Sequence, residues 1–289
     1  MVFKILVSGL IPYDSGKTWF TLGAAAAFQA RGFRVAVYKP VAAHNLWYSP
    51  RTVKRSLELG SLVGNDILLY YDRGLVENIV SANPIAIATA PTDPLKYKAF
   101  EDYARDLELL DRIAVLSRVH ECGAGKTTHY IHPENLGKMT WKTLRVIEIL
   151  RKRLQADTLP FSELVRYLSS VDAGSNLESC LEQIQLNKDI VFVESFNDAV
   201  APFGSLVDKI ELVVIVAPGK VLVYRDVEKL GETLARTVEK LGQEGFRSKH
   251  LITVGKPWLT LSLNYTSSPI AQKAHERFVE KVAPLVARA

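Results

Sequence analysis

Near its N-terminus the chain has an apolar run, a loop of small residues and an alanine-rich segment, in direct succession, and this order limits the folds that the chain can adopt. Residues 3–7 are apolar enough for a buried strand, and the loop after them ends in Gly16-Lys17-Thr18. Residues 21–32 have the composition and inward apolar positions of a helix, with Gly32 at its C-terminal cap. Residues 34–38 indicate a second strand. The predicted order is strand, loop, helix and strand.

This order suits the binding of a nucleotide phosphate. A loop between a buried strand and a helix N-terminus directs backbone N–H groups and the positive end of the helix dipole at one point. Lys17 is then expected to reach the β- and γ-phosphates, and the Thr18 hydroxyl to join a magnesium shell, while Gly16 allows close approach of the backbone. The usual spacing would place a glycine at Ile11, whereas the nearest upstream glycine is Gly9.

The same tripeptide occurs a second time, at Gly125-Lys126-Thr127. The residues after this copy, 128–133, include two histidines and a proline and make a poor start for a helix. The first copy lies between a predicted strand and a predicted helix, so it is the predicted phosphate loop.

The composition is typical of a folded globular chain. Its 289 residues are 48% hydrophobic and 23% charged, enough for a large α/β core. The net charge of +5 suits an anionic ligand, but the Lys and Arg residues are scattered, so nucleic acid binding is unsupported. Neither a signal sequence nor an apolar segment of about 18 residues is recognisable. Cys122 and Cys180 suggest no disulfide framework, and we therefore expect a cytoplasmic protein without membrane partners in a reducing compartment.

Apolar strands alternate with helices along the chain. Strands are predicted at 112–119, 189–194, 212–217 and 250–254, and helices at 51–63, 100–110, 140–154, 161–170, 177–186, 226–241 and 270–286. Residues 120–139 are predicted to be a polar loop. The pattern favours an α/β fold in which a mostly parallel sheet has helices on both faces. We expect a single domain over residues 1–289, within which residues 100–188 form a mostly helical insertion.

Four separated stretches of the sequence are similar to a known family. The first is Gly9 to Thr18, with Asp14 at an acidic position, and the second is Tyr38-Lys39-Pro40-Val41. The third is Asn65-Asp66, followed by Asn83-Pro84 and the Pro-rich residues 90–94. The fourth is Val191-Phe192-Val193-Glu194, followed by Ala201-Pro202. In this order and spacing they resemble dethiobiotin synthetase, a member of the P-loop NTPase superfamily. The resemblance covers residues 3–95 and 189–220 and leaves out the segment between them.

The resemblance implies an ATP- and Mg²⁺-dependent ligase that transfers the γ-phosphoryl group to a carboxylate or carbamate of a small-molecule substrate. It also implies a homodimer. The residues implied are Gly9, Asp14, Ser15, Gly16, Lys17 and Thr18 for the nucleotide, Lys17 and Lys39 for catalysis, and Thr18, Asp66 and Glu194 for the metal. The chain departs from the family at Ser195-Phe196-Asn197-Asp198, where the family has a glycine-rich run, so the substrate stays unassigned.

Three of these residues also have structural interpretations. Glu194 follows a predicted core strand, where ligands collect in open α/β sheets, but it also suits a helix cap or a loop ion pair. Lys39 would neutralise a carboxylate or carbamate, or it is an ordinary surface lysine. The pair Asn65-Asp66 is common in turns.

Two other functions use the same predicted nucleotide site. The first is a small-molecule kinase, which would leave a stable phosphorylated product. The second is a regulatory ATPase or ATP-binding switch, whose helical insertion docks a protein partner. The basic segment 140–154 suits an anionic substrate or partner, or is a solvated helix face.

A cluster of metal-ligating residue types falls in the predicted polar loop. His120, Cys122, His129 and His132 would supply four ligands, but only one residue separates the first pair, whereas zinc sites usually have two to four. The loop is therefore either a metal site or a solvated lid over the nucleotide.

Overall fold

The structure is a computed structural model, and it describes residues 2–253, 255–264 and 272–288. The described strands are β1 (Phe3–Gly9), β2 (Val35–Tyr38), β3 (Val41–Asn45), β4 (Ile85–Thr89), β5 (Ala114–Glu121), β6 (Lys126–Ile131), β7 (Asp157–Thr158), β8 (Ile190–Glu194), β9 (Leu212–Ala217), β10 (Lys220–Tyr224) and β11 (Leu259–Ser262). The described α-helices are α1 (Lys17–Gln29), α2 (Pro50–Leu59), α3 (Asn65–Tyr71), α4 (Ile79–Ala82), α5 (Phe100–Glu108), α6 (Leu110–Ile113), α7 (Pro133–Leu136), α8 (Trp141–Leu154), α9 (Phe161–Leu168), α10 (Val171–Ile184), α11 (Val227–Leu241) and α12 (Lys273–Val286). None of these helices is both long and apolar enough to cross a bilayer.

The chain divides into two compact units. Unit 1 comprises Met1–Pro40, Arg73–Val76 and Leu181–Ala289, and unit 2 comprises Val41–Asp72 and Glu77–Cys180. The expectation of one domain with an insertion from residue 100 differs from this division, because the second unit already begins at Val41. The sequence did not indicate this boundary, because residues 41–45, which form β3, include a histidine and an asparagine and lack a strong apolar pattern.

Unit 1 contains a six-stranded sheet with the order β11-β10-β9-β1-β8-β2. The neighbours β9, β1, β8 and β2 run parallel, as predicted from their apolar runs. Strands β10 and β11 are antiparallel to their neighbours, so the sheet is mixed. The prediction of a strand over 250–254 is wrong for residues 250–253, because His250 ends a short 3-10 helix and residues 251–253 form a turn; Val254 lies outside the described residues. The final strand instead lies at Leu259–Ser262.

Helix α1 is held in unit 1 by aromatic contacts with α12. The ring of Phe278 lies edge-on to Phe20, with 5.2 Å between the ring centroids, and also contacts Phe28. A Cβ at Gly23 would come within 2.1 Å of the His275 ring, so the glycine allows the close approach of the two helices. These contacts bury the inner face of the predicted alanine-rich helix and fix its N-terminus beside β1.

Unit 2 contains a five-stranded mixed sheet with the order β3-β4-β5-β6-β7. Strands β3 and β4 are parallel, as are β6 and β7, whereas β4, β5 and β6 form antiparallel pairs. The predicted basic helix at 140–154 is present as α8, and its Ile147 and Leu150 join Leu116 and Ile131 of the sheet in one apolar cluster. The fold is therefore α/β, as predicted, but it has two mixed sheets in place of one mostly parallel sheet.

The polar stretch 120–139 is not a loop. Glu121 ends β5, a turn follows, and Lys126–Ile131 pairs with β5 as an antiparallel hairpin. Residues 100–188 therefore contain three strands, β5, β6 and β7, in addition to their helices. The sequence did not predict β6 because its buried positions include a histidine, which periodicity arguments count as polar.

The two cysteines are joined. Cys122 in the β5–β6 turn forms a disulfide with Cys180 in α10, with 5.2 Å between their Cα atoms. The expectation of two unpaired thiols is therefore wrong. The partners are 58 residues apart in the sequence, a separation that gives no local signal, and only the hairpin brings Cys122 to α10. A cytoplasmic location stays a prediction.

Reduction of the disulfide is expected to destabilise unit 2. Cross-linking two distant residues restricts the unfolded chain, and the loss of such a bond typically costs about 2–4 kcal/mol. We expect a reducing agent to lower the melting temperature of the wild-type protein and not that of the Cys122→Ser/Cys180→Ser variant. Two free thiols per chain in the untreated protein, or equal melting with and without reductant, would contradict the bond.

Candidate phosphate-binding site

The register of three parallel strands in unit 1 brings their carboxyl ends to one place. Val7 of β1 pairs with Glu194 of β8, and Gly9 of β1 pairs with Val216 of β9. The chain leaves β1 with the Leu10 N–H donating to the Val216 carbonyl over 2.8 Å. The loop after β1 therefore starts between the ends of its two neighbours, which is the edge where open α/β sheets bind ligands.

The loop turns into α1 through a glycine. Gly16 has a φ of 91°, a left-handed conformation that side chains disfavour, and α1 begins at the next residue. The helix N-terminus receives no side-chain cap, so its first N–H groups have no capping side chain competing with a ligand. Asp14 also has a positive φ, 53°, which aspartate tolerates, and its side chain is exposed. The loop and helix thus have the arrangement that the sequence predicted.

Lys17 lies inside this loop. Lys17 is only 8% exposed, and its Nζ donates to the Asn197 carbonyl over 2.7 Å and to Ser15 Oγ over 3.3 Å. Ser15 is buried as well. The ammonium of Lys17 is therefore held at the loop, where the Asn197 carbonyl and Ser15 Oγ are uncharged acceptors. A phosphate would be a stronger acceptor than either.

Glu194 joins two of the predicted site residues. Its Oε1 accepts a hydrogen bond from Thr18 Oγ1 over 3.1 Å and forms an ion pair with Lys39 Nζ. Glu194 is 0% exposed and Lys39 is 4% exposed, so Lys39 is not the surface lysine of the alternative interpretation. A buried carboxylate between a threonine hydroxyl and an ammonium is a polar centre that the surrounding sheet holds rigidly.

The site contains a space that only glycine leaves open. A Cβ at Gly9 would lie 2.6 Å from both Lys17 Nζ and Ser15 Oγ, and 3.0 Å from the Asn197 carbonyl oxygen. The Gly9 position predicted to be part of the loop is therefore in contact with the lysine head group. The set Gly9, Ser15, Lys17 and Thr18 is brought together with Lys39 and Glu194 within unit 1.

Substitution of Gly9 by alanine is expected to weaken nucleotide binding. Forcing a methyl group into a packed site costs about 1–3 kcal/mol, which corresponds to roughly 5- to 150-fold in affinity if the bound state bears the full cost. The matched control is Gly137→Ala, because a Cβ at Gly137 meets no atom within 4 Å. Calorimetric titration with ATP and Mg²⁺ measures both variants, and equal affinities would show that the Gly9 space is not used.

Asp66, the third predicted metal ligand, belongs to unit 2. It lies in the first turn of α3. Burial lowers the pKa of His44 to about 4, and the charge of Asp66 opposes this shift with a smaller effect. Thr18 and Glu194 contact each other in unit 1. A metal site shared by these two residues and Asp66 stays a prediction.

The histidines of the β5–β6 hairpin are structural. His132 contacts the Leu159 carbonyl and Ser117 Oγ, and His129 Nε2 accepts from the Leu62 N–H over 3.1 Å. Burial lowers the pKa of His129 to about 4, so its ring is neutral at neutral pH. Cys122 is in the disulfide and offers no thiolate. Among the described residues, no cluster of three or more His, Cys, Asp or Glu side chains suits a metal ion, so the four-ligand alternative is wrong.

The second Gly-Lys-Thr does not form a phosphate loop. Gly125 has a φ of 63° in the hairpin turn, and Lys126 begins β6, a strand, with an exposed side chain. No helix follows it directly. The structure therefore confirms that context distinguishes the two copies.

One contact of the site could not be read from the sequence. The acceptor for Lys17 at residue 197 is a main-chain carbonyl, and any residue type supplies one. The only signal was the replacement of the family's glycine run by Ser195-Phe196-Asn197-Asp198. Asn197 nevertheless has a φ of 47°, a conformation that asparagine tolerates better than most residues other than glycine.

Comparisons of this chain with protein-family models, with curated proteins and with solved structures found no match.

Proposed function

We propose that the protein binds ATP with Mg²⁺ and transfers the γ-phosphoryl group to a carboxylate or carbamate, in the manner of dethiobiotin synthetase-like P-loop NTPases. The observation that carries the proposal is the meeting of Lys17, Thr18, Lys39 and Glu194 at the end of β1 and β8, where α1 begins. Buried charges are costly, and their concentration at a strand end favours a functional site over a purely structural one.

Binding of the phosphates would use groups that are already in place. The backbone of the loop up to Gly16 and the N-terminus of α1 offer N–H donors and a positive dipole. Lys17 Nζ, which donates to Ser15 Oγ and to the Asn197 carbonyl, would also donate to phosphate oxygens. Hydrogen bonds to the phosphate would be strong because both donor and acceptor are charged.

Thr18 and Glu194 fit a magnesium ion. Mg²⁺ prefers oxygen ligands and is usually held by one or two carboxylates together with phosphates and water, so a hydroxyl and a carboxylate 3.1 Å apart suit it. When bound, Mg²⁺ supplies neutralisation of the charge on the phosphates.

Lys39 is proposed to act on the phosphoryl acceptor. It is held by Glu194 at the end of β8, and its ammonium can attract a carboxylate or carbamate oxygen. In the transfer, this acceptor oxygen forms a bond to the γ-phosphorus as the bond to the β-phosphate oxygen breaks, giving an acyl phosphate and ADP. Positioning and charge neutralisation by Lys17 and Lys39 would provide the catalysis.

Trapping of an acyl phosphate tests the reaction type. We expect ADP release to require a carboxylate or amine–CO₂ substrate, and hydroxylamine to intercept the intermediate as a hydroxamate detectable by mass spectrometry. A stable phosphorylated product would indicate a kinase, and nucleotide-dependent partner binding without a second substrate would indicate a switch. Absence of ATP binding would refute the proposal.

The family's own substrate is expected not to stimulate turnover. The residues 195–198 replace a glycine-rich run, and Phe196 and Asn197 cannot allow the same close approach to a substrate. Adding 7,8-diaminononanoate should therefore leave ADP release at its basal rate. Stimulation with formation of dethiobiotin would contradict this prediction and assign the family's reaction to the protein.

A further inference from the structure

The segment after β8 is a closed turn of six residues, Ser195–Val200, which we name the β8 turn. Ser195 Oγ donates to the Ala199 carbonyl over 2.7 Å, and the Ala199 N–H donates to the Phe196 carbonyl over 3.0 Å. The turn is joined to β1 as well, because Ser8 Oγ donates to the Val200 carbonyl over 2.5 Å. These bonds fix the backbone path of the turn beside the phosphate loop.

A second segment of unit 1 anchors this turn from its other side. The Val200 N–H donates to the Phe246 carbonyl over 2.9 Å, and the Ser248 N–H donates to the Asp198 carbonyl over 2.8 Å. Between these two bonds, Arg247 Nη1 lies 3.2 Å from Asp198 Oδ2. Arg247 also pairs through Nε with Glu244 over 2.8 Å. The anchor is thus two backbone bonds with an ion pair between them.

The anchored turn presents one group to the site, the carbonyl oxygen of Asn197. This oxygen accepts the hydrogen bond from Lys17 Nζ over 2.7 Å and closes the space above Gly9. Asn197 has a positive φ of 47°. Its carbonyl lies in the same planar peptide unit as the nitrogen of Asp198, so a restraint on Asp198 also restrains the orientation of this carbonyl.

We propose that Asp198 and Arg247 are positioning residues, whose ion pair holds the Asn197 carbonyl and through it aims the ammonium of Lys17 at the phosphate-binding loop. The link acts in the protein without nucleotide, and its effect on ATP affinity rests on the proposed function. Three donors on one ammonium allow Lys17 to keep the Asn197 carbonyl while it donates to a phosphate. A lysine side chain that is already oriented loses less conformational freedom on binding, so it binds a phosphate more tightly.

Arg247 suits a test because its removal leaves the backbone anchors in place. The side chain of Arg247 is 43% exposed but that of Asp198 is 12% exposed, so Asp198→Asn is tested beside Arg247→Met to remove the carboxylate charge that the latter leaves unpaired. Arg247→Lys keeps a cation for Asp198 and serves as the rescue variant. The matched control is Lys249→Met, which removes an exposed ion pair to the same Glu244 without touching the β8 turn.

Two measurements are made on the full-length protein. The first is the rate of Lys17 acetylation by an amine-reactive reagent without nucleotide, followed by peptide mass spectrometry and compared with the rate at Lys39. The second is the affinity for ATP with Mg²⁺. We expect Arg247→Met to raise the Lys17 rate and lower ATP affinity by roughly fivefold each, with Lys39 unchanged. Asp198→Asn should behave alike, Arg247→Lys should recover most of the loss, and Lys249→Met should match the wild type.

Unchanged acetylation of Lys17 in both Arg247→Met and Asp198→Asn would overturn the inference. A faster rate at Lys17 in a protein that binds no ATP would support the link and refute the proposed function, so the two failures are distinguishable. Equal acceleration at Lys17 and Lys39 would mean general loosening of unit 1 and would also overturn a specific positioning role.

Discussion

Replacement of Lys17 by alanine is expected to abolish ATP binding, with a loss of affinity of about 100-fold or more. The ammonium of Lys17 is buried in the loop and would donate at least two hydrogen bonds to phosphate oxygens. Hydrogen bonds to charged groups contribute about 1.5–3 kcal/mol each, and loss of two accounts for this factor. Lys17→Met keeps the aliphatic stem and should lose as much affinity, which separates the effect of the charge from that of packing.

The control for Lys17 is supplied by the chain itself. Lys126 has the same neighbours, a glycine before and a threonine after, but it is the exposed first residue of β6. Lys126→Ala should therefore bind ATP as the wild type does. Calorimetry with ATP and Mg²⁺ measures both variants, and equal losses in the two would mean that the phosphate loop has been assigned to the wrong copy.

Replacement of Glu194 by glutamine is expected to lower the turnover rate at least tenfold while ATP affinity changes much less. Glutamine keeps the shape and one oxygen but removes the negative charge beside Thr18 and Lys39. ATP can still bind through Lys17 and the backbone of the loop. Groups that act on charge developing in the transition state commonly contribute about 10²–10³ in rate. A large loss in kcat with a small loss in affinity is the signature of such a group.

The stability of Glu194→Gln must be measured beside its rate. Removing one partner of a buried ion pair typically costs about 3–5 kcal/mol because the other charge is left unpaired. The double variant Glu194→Gln/Lys39→Met removes both charges and is expected to recover stability without recovering turnover. Wild-type turnover by Glu194→Gln at saturating ATP and Mg²⁺ would make Glu194 a structural residue only.

The parts of the site that follow from local pattern were predictable. The apolar run of β1, the small residues up to Gly16 and the alanine-rich α1 each depend on neighbours in sequence, and all three are present. Glu194 could be placed at a strand end because β8 is an uninterrupted apolar run. Its contact with Thr18 then follows from the parallel register of β1 and β8.

The parts that depend on distant or buried polar residues were not predictable. The hairpin β5–β6 has buried histidines and a buried arginine, Arg118, whose pKa burial lowers to about 9. Such residues hide the alternation that marks a strand. The antiparallel addition of β10 and β11 depends on a pairing partner, and the bond from Cys122 to Cys180 depends on the hairpin. The contact of the Asn197 carbonyl was signalled only by the departure of residues 195–198 from the glycine-rich run of the family that the sequence resembles.

The measurement that tests the proposed nucleotide site most directly is a crystal structure of the protein with Mg²⁺ and a non-hydrolysable ATP analogue. We expect the β- and γ-phosphates to lie in the loop between Gly9 and Thr18, with Lys17 Nζ donating to them and with the metal beside Thr18 and Glu194. A nucleotide bound elsewhere on the protein, or a loop that holds no phosphate at saturating ligand, would contradict the proposed site.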